Sequence, residues 1–360
     1  MKRLLAALAL TFGAIAPLHA QTADHPQPAA VSDVKAQDQR AMALELAEKF
    51  VVPAYQDLAK AADAQESAWK GFCKKPSKGA IDGLKTAYNN AADAWARIEF
   101  VRYGPIGENF RYERMAYWPE RKNAVARSLA KAIREPDKLT PERFKQASVA
   151  VQGLSAMERL LYDEGAVDAL LSGPEAKRRC EIGQAIALSV ATIARETLDG
   201  WRGKGGMIDT LKTADAATVR ETVSRLGTDL LGVYQAVGDL KLDAVIGMNV
   251  SEARPKLAET WRSGRSARAI AQNFEGVRAM TKVIVGDDTE HDAKVLAAIR
   301  RAHDEAANLP APLGEMAEDE KARPKITELR QSVRAARDLS GAYIPARLGI
   351  VIGFNSLDGD

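Results

Sequence analysis

A hydroxyl and a carboxylate stand close together in residues 152–162, which read QGLSAMERLLY. Ser155 and Glu158 are three residues apart, so they share one face if this segment is helical. Together they could hold a polar ligand, and Glu158 by itself is a weak candidate for a metal ligand. In the alternative interpretation, Glu158 caps its helix or pairs with Arg159, and Ser155 only allows close packing.

A loop rich in aromatic and basic side chains precedes this segment. Gly104 and Pro105 end a helical pattern, and Arg114 and Trp118 follow closely. Loops that carry such residues often line binding sites. We therefore predict that Arg114 and Trp118 contribute to a ligand site, although Trp118 could instead pack in the core and Arg114 could lie on the surface.

Two arginines and a serine form a compact polar set near a predicted helix start, namely Arg262, Arg265 and Ser266. Guanidinium groups bind carboxylates and other anions through paired hydrogen bonds. The set therefore predicts a contact to an anion. The alternative is that these side chains bridge two parts of the fold through Glu158 or through the acidic C-terminus.

The usual motifs of catalysis are missing from the sequence. His25, His291 and His303 have no zinc-binding spacing, and there is no nucleophile elbow, phosphate loop or dinucleotide fingerprint. The acidic run at residues 286–292 could attract a cation, but solvated acidic helix starts are far commoner. No catalytic residue is assigned on this basis.

The N-terminus has the three-part layout of a secretory signal. Lys2 and Arg3 precede a short apolar run, and Ala20 offers a small residue at the cleavage position. The run is too short to cross a bilayer comfortably. We predict a signal peptide over residues 1–20, a flexible leader over residues 21–36, and an exported chain without a membrane span.

The charge of the chain argues against a nucleic-acid partner. There are 51 Lys and Arg against 48 Asp and Glu, a net charge of +3. Loss of Lys2 and Arg3 with the signal peptide leaves +1. Such a balance creates no broad field that would attract nucleic acid or acidic lipid.

Cys73 and Cys180 are the only cysteines. In an oxidising compartment an isolated pair predicts one disulfide, with two buried free thiols as the alternative. The loop closed by a bridge would hold about a hundred residues, for which chain entropy allows roughly 4 to 5 kcal/mol at most. The absence of a CxxC motif argues against a thiol oxidoreductase.

Beyond the leader, the hydrophobic pattern is helical. Apolar residues recur at three- to four-residue steps, and Pro53 must divide or kink the first long helix. A further helix is predicted over residues 251–261. Glycines at residues 200–206 mark the best boundary, so we predict an all-α protein of two fused up-and-down helical bundles, over residues 37–200 and 201–360.

The segment around Ser155 resembles the imelysin family of exported bacterial proteins, whose signature is Gly-x-His-x-x-Glu at the start of a helix. Other resemblances occur in the same order as in the family and span most of the mature chain. They are Gly104-Pro105, Trp118-Pro119-Glu120, residues 261–266 with Asn273, and residues 353–360 at the C-terminus.

This resemblance implies a two-bundle helical fold with a ligand site between the bundles, a periplasmic location and a link to iron uptake. The family was named for a metallopeptidase activity. Here Ser155 replaces the motif histidine, and a hydroxyl is a poor ligand for a transition metal. Glu158 alone cannot hold a catalytic zinc, which usually needs three protein ligands.

We therefore predict a periplasmic, non-catalytic binding protein. Its ligand would be iron, an iron chelate or another small anion, its only candidate cofactor iron or another divalent metal, and its partners components of envelope iron transport. The Arg114 loop, the Ser155–Glu158 helix start and the Arg262–Ser266 segment would converge on one polar cleft. The alternatives are a metal-dependent peptidase and a structural helical module of an envelope complex.

Overall fold

The computed structural model describes residues 38–135, 137–286 and 289–351, with the side chains of residues 289–292 left out. The predicted signal peptide, the leader and the C-terminal residues 353–360 lie outside these ranges. The described residues form helices joined by turns and contain no β-strand, so the prediction of an all-α fold is confirmed. None of these helices is both long enough and apolar enough to cross a membrane.

The helices of the first half are stabilised at their starts by polar caps. Asp38 accepts a 2.7 Å hydrogen bond from the Ala41 N–H, and Ser77 accepts one of 3.2 Å from Ala80. In chain order they are α1 (Gln39–Leu46), α2 (Val52–Lys74), α3 (Lys78–Ala96), α4 (Arg111–Met115), α5 (Ala124–Arg134), α6 (Pro141–Lys145), α7 (Leu154–Tyr162), α8 (Ala166–Leu171) and α9 (Ala176–Arg202).

Pro53 lies in the first turn of α2, as expected of a residue that has no N–H to donate. The chain reaches it from α1 through a π-helical segment, Ala47–Val51. The π-helical segment leads directly into α2, so the helical backbone continues through Pro53. Pro53 therefore starts a new segment, which is one of the two outcomes that the sequence allows.

The second half contains a π-helical segment, Ala236–Asp243, which continues directly from a long helix. In chain order the helices of this half are α10 (Met207–Thr213), α11 (Ala216–Gln235), α12 (Ala244–Ile246), α13 (Ser266–Val285), α14 (Thr289–Ala307), α15 (Leu313–Ala317) and α16 (Arg323–Leu348).

The prediction of a helix over residues 251–261 is wrong. The chain there makes short 3-10 turns at Val250–Glu252, Pro255–Leu257 and Trp261–Ser263. Pro255 lacks a backbone donor and disfavours helical geometry in the residue before it. Thr260 adopts a left-handed conformation with φ of 50°, which ends any helical path.

Two groups of long helices form the body of the protein. In the first half, α2 packs against α3 and α9, while α7 and α8 lie against α9. In the second half, α14 packs against α13 and α16, and α16 also packs against α11. Contacts of α3 with α13 and of α1 with α11 join the two groups. This arrangement of two helical bundles brings the end of α3 beside the start of α13.

The two cysteines form a disulfide. Cys73 lies near the end of α2 and Cys180 near the start of α9, with a Cα–Cα distance of 5.8 Å, and neither thiol is free. The bond therefore ties together two neighbouring helices whose cysteines are 107 residues apart in sequence. The predicted pairing is confirmed.

Candidate functional site

Gly153 brings two backbone segments together beside the Ser155–Glu158 pair. A Cβ atom at this position would lie 2.3 Å from the carbonyl oxygens of Arg114 and Met115, so only glycine fits without a shift. As predicted, Ser155 and Glu158 lie near the start of a helix, α7. The close approach places the loop that carries Trp118 against the start of this helix.

The Trp118 loop turns sharply before it reaches α5. The Trp118–Pro119 peptide bond is cis, and Lys122 and Asn123 both have left-handed backbone conformations. Glu120 is fixed in this turn by the Val125 N–H, which donates a 2.8 Å hydrogen bond to its Oε1. The turn holds residues 117–120 along one wall of a cavity.

This cavity has a volume of about 340 Å³ and lies between the two bundles. Its walls come from α3, the Trp118 loop, α7 and the segment of residues 256–269. Among the residues that line it, the sequence analysis predicted five, namely Trp118, Ser155, Glu158, Arg262 and Arg265. The structure thus brings most of the predicted site residues to one place.

Glu158 is the best-defined acceptor of the cavity. Its side chain is buried, and Oε1 accepts hydrogen bonds from the backbone N–H of Ser263 at 2.9 Å and from the Ser263 hydroxyl at 2.7 Å. Burial raises the pKa of this carboxyl above its usual value, although both hydrogen bonds oppose the shift. The other oxygen, Oε2, accepts no hydrogen bond from the described residues, so it is available to a ligand.

The arginines of the cavity pair with aspartates of the first half. Arg262 donates to Asp163 at 2.5 Å, and Arg265 donates to Asp93. Arg268 also holds Asp93, and although burial favours the neutral acid, the two arginines keep the pKa of Asp93 below its usual value. These pairs bridge the two bundles. The alternative interpretation of the arginines predicted a bridge through Glu158 or the acidic C-terminus, whereas the bridges are made through Asp163 and Asp93.

Two predicted site residues lie outside the cavity. Arg114 donates to Gln152 Oε1 at 2.8 Å, and its side chain lines a separate cavity between α2, α6 and α9. The Ser266 hydroxyl donates to the Glu259 carbonyl oxygen at 2.5 Å and is buried at the start of α13. The prediction that both contribute to one common cleft is therefore not met by the structure.

A buried charge network beside the cavity was missed by the sequence analysis. Lys241 Nζ donates to Glu99 Oε1 at 2.6 Å, to Glu259 Oε2 at 2.7 Å and to Asn273 Oδ1 at 2.7 Å. The Asn273 amide donates in turn to Glu99 and to the Ala96 carbonyl oxygen. Two carboxylates thus share a single ammonium group.

Burial and pairing act in opposite directions on this network. Burial raises the pKa of Glu259 to about 7, helped by the charge of Glu99 and opposed by Lys241. Burial disfavours the charged Lys241, but the charges of Glu259 and Glu99 outweigh it and raise its pKa. The ammonium group therefore stays charged, and Glu259 is the member of the network that can take up a proton near neutral pH.

One signal of this network is present in the sequence. Lys241 is four residues after Val237 and four before Val245, and both valines are fully buried. This spacing places the lysine on the apolar face of its helix. A lysine on such a face needs a buried acidic partner, but the sequence alone does not show which acid it is.

A second, smaller chamber of about 130 Å³ adjoins the cavity. Trp95, Trp118 and Glu259 line both spaces, and Lys241 Nζ lies 5.5 Å from the centre of the Trp118 ring. At the far side, Asp229 Oδ2 accepts hydrogen bonds from the backbone N–H groups of Arg102 and Tyr103. The cavity therefore continues past Trp118 toward a second carboxyl group.

The donor set around Glu158 does not fit a resident catalytic metal. Within residues 38–351, apart from the few that the structure leaves out, no three His, Cys, Asp or Glu residues are grouped so as to hold an ion. Ser155 offers only a hydroxyl, and two donors from Ser263 already occupy Glu158 Oε1. These residues can form hydrogen bonds to a ligand.

Comparisons with solved structures identify the same fold elsewhere. An imelysin-like protein from Psychrobacter arcticum 273-4 superposes with a TM-score of 0.67 at 20% identity, covering 89% of this chain and 100% of that one. A protein from Parabacteroides distasonis ATCC 8503, named "putative iron-regulated protein A precursor", gives 0.66 at 16% identity, covering 88% and 98%. At these identities the likeness shows the fold alone.

Sequence comparison assigns the family. No curated protein matches the chain. The model of the imelysin family, also designated peptidase M75, matches residues 51–339, which is most of the sequence. The matched region contains Glu158, Lys241 and the residues that line the cavity. The chain therefore belongs to the imelysin family.

Proposed function

We propose that this protein is an exported, non-catalytic binding protein that holds a small ligand in the cavity between its two bundles. The observation that carries this proposal is the convergence of Trp118, Ser155, Glu158, Arg262 and Arg265 on one cavity of about 340 Å³. Pockets for small ligands combine apolar and aromatic walls with a few polar groups, as this cavity does.

Iron uptake is the proposed setting. It is supported by family membership and by the name of the Parabacteroides distasonis neighbour, which describes an iron-regulated protein. In this setting the ligand is an iron chelate or another small anion, and the partners are transport components of the cell envelope. Binding of a chelate requires no metal ligand from the protein, which agrees with the donor set around Glu158.

A peptidase reaction is not part of the proposal. A catalytic zinc usually has three protein ligands, whereas Glu158 is accompanied by a serine hydroxyl and by no grouped third ligand among the residues that the structure describes. Cleavage of a peptide panel with added Zn²⁺ or Fe²⁺, abolished in Glu158→Gln, would overturn the non-catalytic assignment.

The proposed location is the periplasm. Expression of the full chain in a Gram-negative host, followed by osmotic release of the periplasm, should yield a protein whose measured mass corresponds to a start at Gln21. Retention of the full-length chain in the cytoplasmic or membrane fraction would contradict this proposal.

The central test measures ligand binding by the mature protein. Thermal melting and tryptophan fluorescence are followed with ferric citrate, citrate alone, ferric iron alone and a neutral sugar, because Trp95, Trp118 and Trp261 line the cavity. We expect citrate or ferric citrate to raise the melting temperature of the wild type, and we expect Glu158→Ala to reduce this shift. Glu275→Ala, at a partly exposed ion pair with Arg278, is the control. No response to any probe would favour the structural helical module.

A further inference from the structure

Three buried polar atoms on residues that line the cavity have no hydrogen-bond partner in the described ranges. They are Tyr88 Oη, Thr260 Oγ1 and Arg265 Nε. The Tyr88 side chain is fully buried and Arg265 is only 6% exposed. A buried polar atom without a partner is unfavourable to folding, and more so if it is charged. A ligand that reaches these three atoms would supply the partner that each of them lacks.

The three side chains belong to one local arrangement. Thr260 accepts, through its carbonyl oxygen, a 3.1 Å hydrogen bond from the Arg265 N–H and another from the Ser263 hydroxyl. The pKa of Tyr88 is raised by burial and by the charge of Glu158 and is lowered by the charge of Arg265, and all three residues line the same cavity. The Tyr88 hydroxyl also lies near Ser263 without making a well-formed hydrogen bond to it.

Backbone strain is concentrated at the same point. Thr260 is a β-branched residue with φ of 50°, a conformation that such residues rarely adopt. Residues held in this region tend to cluster at binding sites, where the surrounding structure supports the strain. The Thr260 side chain is thereby presented at the cavity rather than on a regular helix.

The chemistry of the three atoms selects the ligand group. Arg265 Nε can only donate, and the hydroxyls of Tyr88 and Thr260 can donate as well. Three donors, one of them permanently charged, suit an oxyanion, and hydrogen bonds to such a group are shorter and stronger than neutral ones. A carboxylate suits the site better than a phosphate, since the nearby Glu158 repels a doubly charged group more strongly than a singly charged one.

The walls of the cavity add a second requirement. Trp95, Trp118 and Trp261 line it together with Leu154 and Ala92, so much of its surface is apolar or aromatic. Such walls favour an organic body that the rings can cover. A bare inorganic anion would leave them in contact with water.

We infer that the ligand of this cavity is a small organic carboxylic acid, whose carboxylate binds to Arg265 Nε, Tyr88 Oη and Thr260 Oγ1. This inference rests on the proposed function and makes it specific. If iron is carried, the protein recognises a free carboxylate of the chelator and not the metal ion. The recognition does not require the motif histidine that Ser155 replaces.

The test uses matched pairs of probes with the mature protein. Benzoate is compared with benzamide, phenylacetate with phenylacetamide, and citrate with its neutral triethyl ester, with inorganic phosphate as a further probe. Tryptophan fluorescence and thermal melting report binding. We expect the carboxylates to bind and each neutral partner to bind at least tenfold more weakly, in line with the strength of charge-assisted hydrogen bonds.

Variants that remove one hydroxyl each identify the contact. Tyr88→Phe and Thr260→Val should weaken carboxylate binding about tenfold, the effect of one hydrogen bond to a charged group. Neither hydroxyl has a partner in the described protein, so both variants should fold. Tyr55→Phe is the matched control, because Tyr55 is equally buried, its hydroxyl is also unpartnered, and it does not line the cavity.

The outcomes separate the inference from the proposed function. Equal binding of the neutral partners, tighter binding of phosphate, or unchanged binding by both Tyr88→Phe and Thr260→Val would overturn the carboxylate inference and leave a binding protein. If no probe binds, including ferric citrate, the proposed function itself fails together with the inference.

Discussion

Glu158 and Ser263 are joined by two hydrogen bonds to a single carboxylate oxygen, one from the Ser263 backbone N–H and one from its hydroxyl. The two residues are 105 positions apart and belong to different bundles. The contact therefore does two things. It holds the segment of residues 260–263 over the cavity, and it fixes one oxygen of Glu158 so that the other remains available.

Removal of the Ser263 hydroxyl should loosen this contact without destroying it. In Ser263→Ala the backbone N–H still donates, so we expect the free energy of unfolding to fall by about 1 to 2 kcal/mol. Urea unfolding measures the change. Ser251→Ala is the control, because among the residues that the structure describes the Ser251 hydroxyl bonds only to Asn249 on the surface, and its effect should be negligible. A Ser263→Ala variant as stable as the control would show that the backbone hydrogen bond suffices.

The disulfide should be a large contributor to stability. Cys73 and Cys180 are 107 residues apart, and chain entropy assigns a loop of this length up to about 4 to 5 kcal/mol. We expect reduction, or the double substitution of both cysteines by serine, to lower the free energy of unfolding toward that limit. Urea unfolding with and without reductant measures it, and reductant should not affect the cysteine-free variant. Two free thiols in the denatured, unreduced protein would contradict the bridge.

The contribution of Asp229 to stability should be larger in acid than near neutrality. Burial raises the pKa of its carboxyl to about 6, against the hydrogen bonds from Tyr103 and Arg102 and against the charges of Arg102 and Arg225. A carboxyl whose pKa is raised by folding stabilises the fold when protonated, and this contribution is lost as the pH rises through about 6.

Asp229→Asn should remove that pH dependence. We expect the variant to be about 2 kcal/mol more stable than the wild type at about pH 8, with a smaller difference at about pH 4. Urea unfolding across this range measures both quantities. Asp239→Asn, at an exposed position of the π-helical segment, should leave the pH profile unchanged. A lower stability of Asp229→Asn at the higher pH would show that the carboxylate charge is favourable where it stands.

Lys241 should be indispensable to its network. Lys241→Met would leave Glu99 and Glu259 buried without their shared cation, and breaking a buried ion pair in this way destabilises proteins by about 3 to 5 kcal/mol. Addition of Glu259→Gln to this variant should restore part of the loss, because one of the uncompensated charges disappears. Thermal and urea unfolding of the single and double variants measure the coupling.

A lysine on the surface provides the control for this prediction. Lys212 pairs with Asp209 in an exposed ion pair, and Lys212→Met should change the free energy of unfolding by less than about 1 kcal/mol. Equal effects of the two lysine substitutions would mean that the buried network is no more important than a surface pair.

The fold can be predicted from the sequence where local patterns decide the structure. The sequence places Arg262, Arg265 and Ser266 near a predicted helix start, and α13 does begin at Ser266. The predicted helix over residues 251–261 failed because Pro255 and the left-handed Thr260 override the local propensity. Here the backbone restrictions of single residues outweigh the periodic pattern.

The site was harder to predict than the fold. Density of polar and aromatic residues locates the segments that meet, but it does not give the direction of a side chain, and so Arg114 points to another cavity. Lys241 and Glu99 are 142 residues apart, and their pairing depends on where the π-helical segment Ala236–Asp243 lies relative to the turn that follows α3. Tyr88 looks like an ordinary core residue in the sequence, and only the structure shows that its hydroxyl has no described partner.

The π-helical segment Ala236–Asp243 gives the cavity an unusual sensitivity to the length of the chain. Lys241 lies inside this segment, whose turns are wider than those of an α-helix. A change in the number of residues before Lys241 would alter its direction and move the ammonium group away from Glu99 and Glu259. All of the charged residues would still be present, but Lys241 could not reach its carboxylate partners. The electrostatic character of the cavity is therefore set by the phase of one helix as much as by the identity of its side chains.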